Sequence, residues 1–211
     1  MGPASGDGAD GRPTVNIVGA LVALGPLRRD LIPTYQRWNN DLATTRTLAR
    51  PGPTTEERET AAYDQATRDG RYALFTIYER ASWRPVGTTY LADIDHRHRS
   101  AEFGIAIGEP DARGKGFGTE VTRLMLDHAF TDLGLYNVGL TVYAFNLAGM
   151  RAYVKAGFRE VGRRRQAHAM GGTAWDVISM DCLATEFTGT ASASVTTPDS
   201  PPALSPILSR A

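Results

Sequence analysis

Residues 113 to 118 read Arg-Gly-Lys-Gly-Phe-Gly, with glycines at alternate positions. Glycine lets a backbone turn tightly and present bare N–H groups to a ligand. A strand-like run, 101–107, precedes this turn, and a helix-like run, 119–133, follows it. The start of a helix adds unpaired N–H donors and the positive end of the helix dipole. The sequence therefore predicts an anion site that suits a phosphate or pyrophosphate.

Two other nucleotide-binding patterns do not fit this segment. A Walker A loop needs Gly-x-x-x-x-Gly-Lys followed by Ser or Thr, whereas here Gly116 follows Lys115. A dinucleotide fingerprint needs Gly-x-Gly-x-x-Gly, but after Gly114 and Gly116 the third glycine position holds Thr119. The remaining alternative is a loop that only starts a helix and binds nothing.

Glu102, in the strand-like run, is a second candidate for chemistry. Alternation along a strand places Phe103 and Ile105 on one side and Glu102, Gly104 and Ala106 on the other. A carboxylate that faces a cleft can deprotonate an ammonium substrate or bind it electrostatically. The alternative is a satisfied polar residue with no role in catalysis.

These residues must be positioned by a folded domain, and the apolar periodicity predicts an alternating α+β domain over residues 14–187. The predicted order is β–α–α–β–β–β–α–β–α–β–β. Pro33 interrupts the first helix early, and Pro-Gly-Pro at 51–53 stops it. The predicted strands are 15–24, 72–79, 86–94, 101–107, 138–144, 158–170 and 173–183, and the predicted helices are 30–48, 54–69, 119–133 and 147–156.

Both ends of the chain have compositions that differ from the domain. Residues 1–13 are mostly Gly, Ala, Asp and Pro, and residues 188–211 are rich in Thr, Ser, Ala and Pro. Neither segment can bury enough apolar surface to offset its chain entropy. We therefore predict a disordered N-terminal extension and a disordered C-terminal tail.

Length and composition fit one folded domain. The chain has 211 residues, of which 42% are hydrophobic and 22% charged. Twenty-three basic residues balance twenty-three acidic ones, so no net field draws the chain to nucleic acid or to an anionic membrane. The single cysteine, Cys182, excludes an intrachain disulfide. The sequence has neither a long apolar run nor a secretory signal, so we expect a cytoplasmic protein.

The glycine-rich turn also has the spacing Arg/Gln-x-x-Gly-x-Gly/Ala, with Arg113, Gly116 and Gly118 in the named places. In this it resembles the coenzyme A pyrophosphate loop of the GNAT acyltransferases, and the resemblance covers residues 15–187. Within that superfamily the chain looks most like the RimJ/RimL-type N-acetyltransferases. The further segments that carry the resemblance are Trp38-Asn39-Asn40-Asp41, Val86-Gly87, residues 101–105, Ala129-Phe130 with Leu133-Gly134-Leu135, Asn146, and residues 151–158. One departure is Tyr136-Asn137, where relatives commonly have a basic pair.

The resemblance implies both a fold and an acyl donor. The fold is the three-layer α+β GNAT acyl-CoA N-acyltransferase fold, whose mixed, mostly antiparallel sheet splays between its fourth and fifth strands. The donor is acetyl-CoA, whose pantetheine arm would enter the splay as an added strand would. A main-chain N–H between Ile105 and Ile107 would be the oxyanion donor. The implied coenzyme contacts are Arg113, Gly114, Lys115, Gly116, Phe117, Gly118, Thr119 and Asn146.

Four side chains receive roles from the resemblance, and each has a structural alternative. Tyr153 holds the position of the tyrosine that faces the thioester sulfur, where a phenol can hydrogen-bond or protonate the leaving thiolate; the alternative is a core aromatic. Asn146 would contact the coenzyme arm, although a helix N-cap explains it equally well and both roles can coexist. Arg113 and Lys115 are each either a phosphate contact or a solvated loop charge.

The other polar clusters are interpreted as structural. His96 and His98 fall in a polar turn, and His128 falls on the apolar stripe of its helix. The run Arg163-Arg164-Arg165 and Asp176 lie on the last predicted hairpin. No spacing of cysteine and histidine residues indicates a metal site.

The sequence and the resemblance together predict an acetyl-CoA-dependent N-acetyltransferase that works by direct transfer in a ternary complex. Cys182 is far from every site motif, so no covalent acyl-enzyme is expected. The expected acceptor is a primary amine of a small molecule or of a protein N-terminus, and neither nucleic acid nor membrane is an expected partner. Dimers are common in the family, so a homodimer is included among the expectations. The alternative function is a sensor or scaffold that binds acyl-CoA without turnover.

Overall fold

The computed structural model describes residues 12–48 and 53–189. The extensions predicted at 1–13 and 188–211 lie outside the described residues, except for Arg12, Pro13, Thr188 and Gly189. Pro51 and Gly52, which belong to the predicted stop of the first helix, lie outside them as well.

The centre of the described fold is one sheet of eight strands. The strands are β1 Ile17–Val18, β2 Val22–Pro26, β3 Ala73–Glu79, β4 Pro85–Asp95, β5 Ser100–Ile107, β6 Asn137–Tyr143, β7 Arg159–Met170 and β8 Thr173–Leu183. Their order across the sheet is β1-β2-β3-β4-β5-β6-β8-β7. Each neighbouring pair is antiparallel except β5 and β6, which run parallel. The predicted mixed, mostly antiparallel sheet is confirmed.

The α-helices are α1 Ile32–Asn40, α2 Leu42–Thr45, α3 Glu56–Ala66, α4 Phe117–Asp127 and α5 Leu147–Ala156. Single 3₁₀ turns lie at Arg29–Leu31 and Pro110–Ala112, and a π-helical turn, His128–Asp132, continues α4. Gly157 ends α5 with φ of 120°, a conformation that glycine adopts without strain.

Helices cover both faces of the sheet. Val121 of α4 is buried in the main core together with Ile77 of β3. On the opposite face, the hydroxyl of Tyr35 in α1 lies 2.6 Å from Oγ1 of Thr76, the neighbour of Ile77 along β3. Successive residues of a strand point to opposite faces, so α1 and α4 lie on opposite sides of the sheet. Tyr63 joins α3 to the α1 side, which completes the three layers.

The predicted strand 15–24 is two strands, β1 and β2, which form a hairpin. The carboxylate of Glu120 in α4 accepts the N–H groups of Ala20, Leu21 and Val22 at 2.7 to 2.9 Å. Gly19 makes room for it, since a Cβ there would lie 2.9 Å from the Glu120 carboxyl carbon. The apolar run could not reveal this reversal, because the acceptor of its N–H groups is about a hundred positions away.

The predicted helix 30–48 is broken at Asp41, which has an extended backbone between α1 and α2. The Asp41 side chain accepts the N–H of Ala43 and so caps α2. Pro33 lies in the first turn of α1 and does not interrupt it. A proline is well tolerated there because the N–H it lacks has no intrahelical acceptor.

β5 and β6 pair only at their start. Three residue pairs join them: Ser100 with Asn137, Ala101 with Val138, and Glu102 with Gly139. Beyond these pairs β5 continues to Ile107 and β6 to Tyr143, and no further pair joins the two strands along this described stretch. The predicted splay is confirmed. It lies between the fifth and sixth strands because the first predicted strand is two strands.

Candidate active site

A cavity of about 580 Å³ opens where β5 and β6 separate. Its walls come from the end of β5, the Arg113–Gly118 turn, α2 with the residues after it, and α5. Nine of the predicted site residues line it: Ile105, Ile107, Arg113, Gly114, Gly116, Gly118, Thr119, Asn146 and Tyr153. Glu102, Lys115 and Phe117 do not line it.

The glycine-rich turn has the backbone that its sequence predicts. Gly114 and Gly116 have φ of 74° and 88°, in the left-handed region that favours glycine. Gly116 is also the N-cap of α4, and it provides no side chain to accept the N–H groups of the first turn. A Cβ built at Gly114 or Gly118 would have nothing within 4 Å. Open space beside helix N-terminal donors fits an anionic phosphate group.

Main-chain groups of β5 also face the gap between the strands. Gly108 donates its N–H to the carbonyl of Val86 at 2.9 Å, so these residues form a hydrogen-bonded pair of the β4–β5 ladder. Hydrogen-bonded and non-hydrogen-bonded pairs alternate along an antiparallel ladder. The N–H and C=O groups of Ile105 and Ile107 therefore point away from β4 and toward the gap, whereas those of Ala106 point to β4.

The Arg113 guanidinium is bonded to the protein itself. Its Nε donates to the carbonyl of Ile107 at 3.1 Å, and its Nη2 donates to Oγ1 of Thr44 at 2.6 Å and to the carbonyl of Gly108 at 3.3 Å. Oδ2 of Asp41 lies 3.6 Å from the same Nη2. Arg113 thus joins the end of β5 to α2. The phosphate contact proposed for its side chain stays a prediction.

Two other residues of the turn face away from the cavity. The Phe117 side chain is buried in the main core. Nζ of Lys115 lies 3.9 Å from Oε1 of Glu79, and the lysine side chain is about half exposed. At these two positions only the main chain adjoins the predicted anion site.

Asn146 is both a helix cap and a cavity residue. Its Oδ1 accepts the N–H of Gly149 at 3.0 Å, which confirms the N-cap alternative for α5. It also lines the cavity at the open end of β6. The predicted contact with a coenzyme arm remains compatible with this cap.

Tyr153, on α5, is held by two aromatic side chains. Its ring makes edge contacts with Phe103 and Phe158, at centroid distances of 6.2 and 6.1 Å. Burial raises the pKa of Tyr153 to about 12, and the phenol of Tyr90 adds to the shift. Tyr153 is therefore protonated at neutral pH, and its hydroxyl can donate a hydrogen bond into the cavity.

Glu102 lies on the other face of β5, at the last residue pair before the strands separate. A Cβ at its partner Gly139 would stand 3.0 Å from the Glu102 Oε1, so the glycine leaves room for the carboxylate. Partial burial of this carboxylate raises the pKa of Glu102, and the negative charge of Asp93 raises it further. A raised pKa favours proton uptake, as a general base requires.

Several residues that line the cavity had no predicted role, and the polar ones among them are Thr44, Arg46, Thr47, Arg151 and Lys155. Arg151 and Lys155 are four positions apart on α5, and such residues share a helix face, so their spacing was a usable signal. Thr44 and Arg46 gave no signal, because α2 is a single turn whose position depends on Asp41 and Arg113. Together the cations give the cavity a positive charge, which suits a polyanionic ligand.

The other polar clusters have structural partners or are exposed. His96 and His98 lie in the exposed β4–β5 turn, whose N–H groups at Arg97 and His98 bond to Asp95. His128 bonds to Asp132 through Nδ1 at 2.6 Å.

On the β7–β8 hairpin, Arg163 pairs with Glu160 and with Asp176.

Among the residues that the structure describes, no group of His, Cys, Asp and Glu side chains is arranged to hold a metal. None of the described helices has the length and apolar character needed to span a membrane.

The chain is similar to known acetyltransferases. The acetyltransferase (GNAT) domain profile matches residues 22–159. The chain is similar to spermidine N(1)-acetyltransferase of Vibrio cholerae, with 32% identity over 125 residues that cover 59% of this chain and 71% of that protein. It is also 32% identical, over 118 residues, to spermidine N(1)-acetyltransferase of Escherichia coli K12, covering 56% of this chain and 62% of that protein.

One solved structure is similar to this chain over nearly all of the solved chain's length. The crystal structure of spermidine N-acetyltransferase from Vibrio cholerae, in complex with CoA and spermine, superimposes with a TM-score of 0.73 at 26% sequence identity. The similarity covers 79% of this chain and 97% of that chain.

Proposed function

This chain belongs to the GNAT acetyltransferase family and is an N-acetyltransferase with acetyl-CoA as donor, and we propose that it acetylates a small-molecule polyamine. The observation that carries the proposed mechanism of acetyl transfer is the open end of the β5–β6 pair. There the glycine-rich turn, Asn146 and Tyr153 line one cavity, and Glu102 lies on the opposite face of β5.

Acetyl-CoA supplies the acetyl thioester, and we assign its phosphates to the turn. The main-chain N–H groups of Gly114–Gly118 and the first turn of α4 present donors next to open space. Arg46, Arg151 and Lys155 add positive charge along the same cavity. The pantetheine arm would lie against the unpaired edges of β5 and β6, with Asn146 beside it.

Ile105 and Ile107 are the proposed oxyanion donors. Their N–H groups point into the gap, whereas the N–H of Ala106 points to β4. Negative charge that develops on the thioester carbonyl oxygen would be stabilised there by a donor that needs no reorganisation. The carbonyl of Ile107 already accepts from Arg113, which fixes this part of β5.

Glu102 is the proposed base or ammonium contact. An amine must lose its ammonium proton before its lone pair can attack the thioester. A carboxylate with a raised pKa, on the face opposite Tyr153, is suited to accept this proton directly or through water. Asp93 adds a second negative charge near Glu102, which favours a cationic acceptor.

Tyr153 is the proposed donor to the leaving sulfur. A thiol has a pKa of about 8.5, so complete proton transfer from a phenol with a pKa of about 12 would cost roughly 5 kcal/mol. Tyr153 therefore stabilises the developing thiolate by donating a hydrogen bond. The amine releases one proton as the C–N bond forms, and the thiol gains one, so the reaction is balanced.

Direct transfer is favoured over a covalent acyl-enzyme. Cys182 is buried on β8 and does not line the cavity. Burial raises the pKa of Cys182 to about 11, so its thiol is not ionised at neutral pH and is a weak nucleophile.

The polyamine acceptor is proposed from the two carboxylates and from the spermidine acetyltransferases that the chain resembles. A protein N-terminus is the second candidate acceptor, because the chain also resembles the RimJ/RimL-type N-acetyltransferases. The cytoplasmic location, the homodimer and the roles of individual site residues also stay predictions.

A thiol-release assay with acetyl-CoA tests the proposal. Spermidine, spermine and a short peptide with a free N-terminus would be compared, and mass spectrometry would identify the acetylated product. Turnover with the polyamines is expected. Turnover with the peptide alone would overturn the polyamine assignment. Saturable CoA binding without thiol release for any amine would support the sensor alternative.

A further inference from the structure

Tyr90 lies on β4, and its ring extends over the neighbouring strand β5. It is directly paired with Gly104 across β4 and β5. A Cβ built at Gly104 would lie 2.1 Å from Cζ of Tyr90 and 2.4 Å from its hydroxyl oxygen. The hydroxyl end of the ring therefore lies directly over β5, in space that exists only because residue 104 has no side chain.

Tyr90 and Glu102 lie on the same face of the sheet. Residues directly opposite in an antiparallel pair point to the same side, so Tyr90 shares the face of Gly104. Glu102 is two positions before Gly104 and therefore also points to this side. About 7 Å separates the Cα atoms of Glu102 and Gly104. The hydroxyl and the carboxylate thus border one surface.

This surface adjoins the gap between β5 and β6. Pairing between β5 and β6 ends at Glu102 and Gly139, so at Gly104 no strand pairs with the free edge of β5. Tyr153 lies on the opposite side, packed on Phe103. The phenol of Tyr90 also adds to the raised pKa of Tyr153.

We propose that Tyr90 is an acceptor-binding residue whose hydroxyl oxygen accepts an N–H of the attacking amine, and this inference rests on the proposed function. The amine would lie between Tyr90 and Glu102 on one face and the thioester beside Tyr153 on the other. A hydrogen bond from one N–H of the amine to Tyr90 turns the nitrogen lone pair toward the carbonyl carbon. No covalent bond to Tyr90 forms or breaks.

Tyr90→Phe tests this role because it keeps the ring over Gly104 and removes only the hydroxyl. With spermidine as the probe, we expect KM for spermidine to rise roughly 10-fold, the effect of one lost hydrogen bond to a polar substrate. The acetyl-CoA Kd from calorimetry should stay within twofold. Tyr136→Phe is the matched control, since Tyr136 is exposed and packs against Arg99 outside the cavity.

A double-mutant cycle with Gly104→Ala gives a second test. The new methyl group would displace the Tyr90 hydroxyl, so Gly104→Ala should lower kcat/KM for spermidine roughly 10-fold when Tyr90 is present. In a Tyr90→Ala background the same substitution meets no ring and should change kcat/KM by less than twofold. Additive effects would overturn the inference.

The outcomes for this inference and for the proposed function can be told apart. If the wild-type chain turns over spermidine and Tyr90→Phe has the same KM and kcat, the role of Tyr90 is wrong and the proposed function stands. If the wild-type chain releases no thiol with spermidine or with the N-terminal peptide, the proposed function fails and this inference fails with it.

Discussion

Nη2 of Arg113 donates a 2.6 Å hydrogen bond to Oγ1 of Thr44, and this bond joins the first residue of the glycine-rich turn to α2. Thr44 is buried, and its own hydroxyl donates to Oδ2 of Asp41 at 2.6 Å. The cavity wall formed by α2 is therefore fixed by a short chain of bonds from Arg113 through Thr44 to Asp41.

Thr44→Val should loosen this wall, because valine keeps the shape of threonine but removes both hydrogen bonds. We expect a loss of about 1.5 kcal/mol in the free energy of unfolding, since the bonds involve charged partners that are partly exposed. For a domain of this size that lowers Tm by roughly 3 to 6 °C. Thermal denaturation measures the change.

Thr45→Val is the control for Thr44→Val. The Thr45 hydroxyl donates only to the main-chain carbonyl of Asp41, at 3.1 Å, so its removal should cost less. Equal Tm values for Thr44→Val and the wild type would show that the chain of bonds contributes no stability.

Gly116→Glu should strongly weaken coenzyme binding without unfolding the protein. The new carboxylate would enter the space proposed for the phosphates and repel them, so we expect the CoA Kd to rise by roughly 100-fold, about 3 kcal/mol. Calorimetry measures the affinity and circular dichroism checks the fold. Gly171→Glu is the matched control, because Gly171 also has a left-handed φ, 60°, but lies in the β7–β8 turn. Unchanged CoA affinity in Gly116→Glu would contradict the anion-site assignment.

Tyr153→Phe should lower kcat by roughly 100-fold while the acetyl-CoA Kd stays nearly the same, because the hydroxyl acts on charge that develops only in the transition state. Since the pKa of Tyr153 is about 12, its hydroxyl stays protonated up to about pH 11. The pH profiles of kcat for the wild type and the variant should therefore have the same shape between pH 6 and 10. A turnover equal to that of the wild type would reduce Tyr153 to a packing residue.

Glu102→Gln should lower kcat/KM by roughly 100-fold and remove the acidic limb of its pH profile, because glutamine cannot accept the amine proton. In the wild type this limb should lie above the ordinary range of a glutamate, since the pKa of Glu102 is raised by burial and by Asp93. Asp93→Asn removes a like charge, favours the ionised carboxylate and should move the limb to lower pH. If the acidic limb persists in Glu102→Gln, it reflects the titration of another group.

The same shift in the pKa of Glu102 predicts an effect on stability. A carboxyl group with a higher pKa in the folded state binds its proton more tightly there than in the unfolded chain. Its contribution to stability is therefore largest below the unfolded-state pKa and falls as pH rises through the folded-state pKa. At pH 7, Glu102→Gln should raise Tm slightly, and this gain should vanish in strong acid.

The sequence predicted the parts of the fold that depend on local patterns. Strand 173–183 and helix 147–156 have the predicted limits, because hairpin glycines and a helix cap mark their ends. The β1–β2 reversal and the break at Asp41 were missed, since both depend on bonds to distant residues, Glu120 and Arg113. The spacing of apolar residues indicates which positions are buried, but it does not indicate which distant residues they bond to.

By itself the sequence indicated the family and the donor through its resemblance to the GNAT acyltransferases. It also determined the glycine-rich turn, because a left-handed backbone next to a helix N-terminus is set by a few adjacent residues. Only the tertiary structure decided which main-chain groups of β5 face the gap, since that depends on the register of β4 against β5. It also decided that the Arg113 side chain bonds to Thr44, and that the Tyr90 hydroxyl lies over Gly104. These relationships join residues far apart in the chain, and their geometry exists only once the sheet has formed.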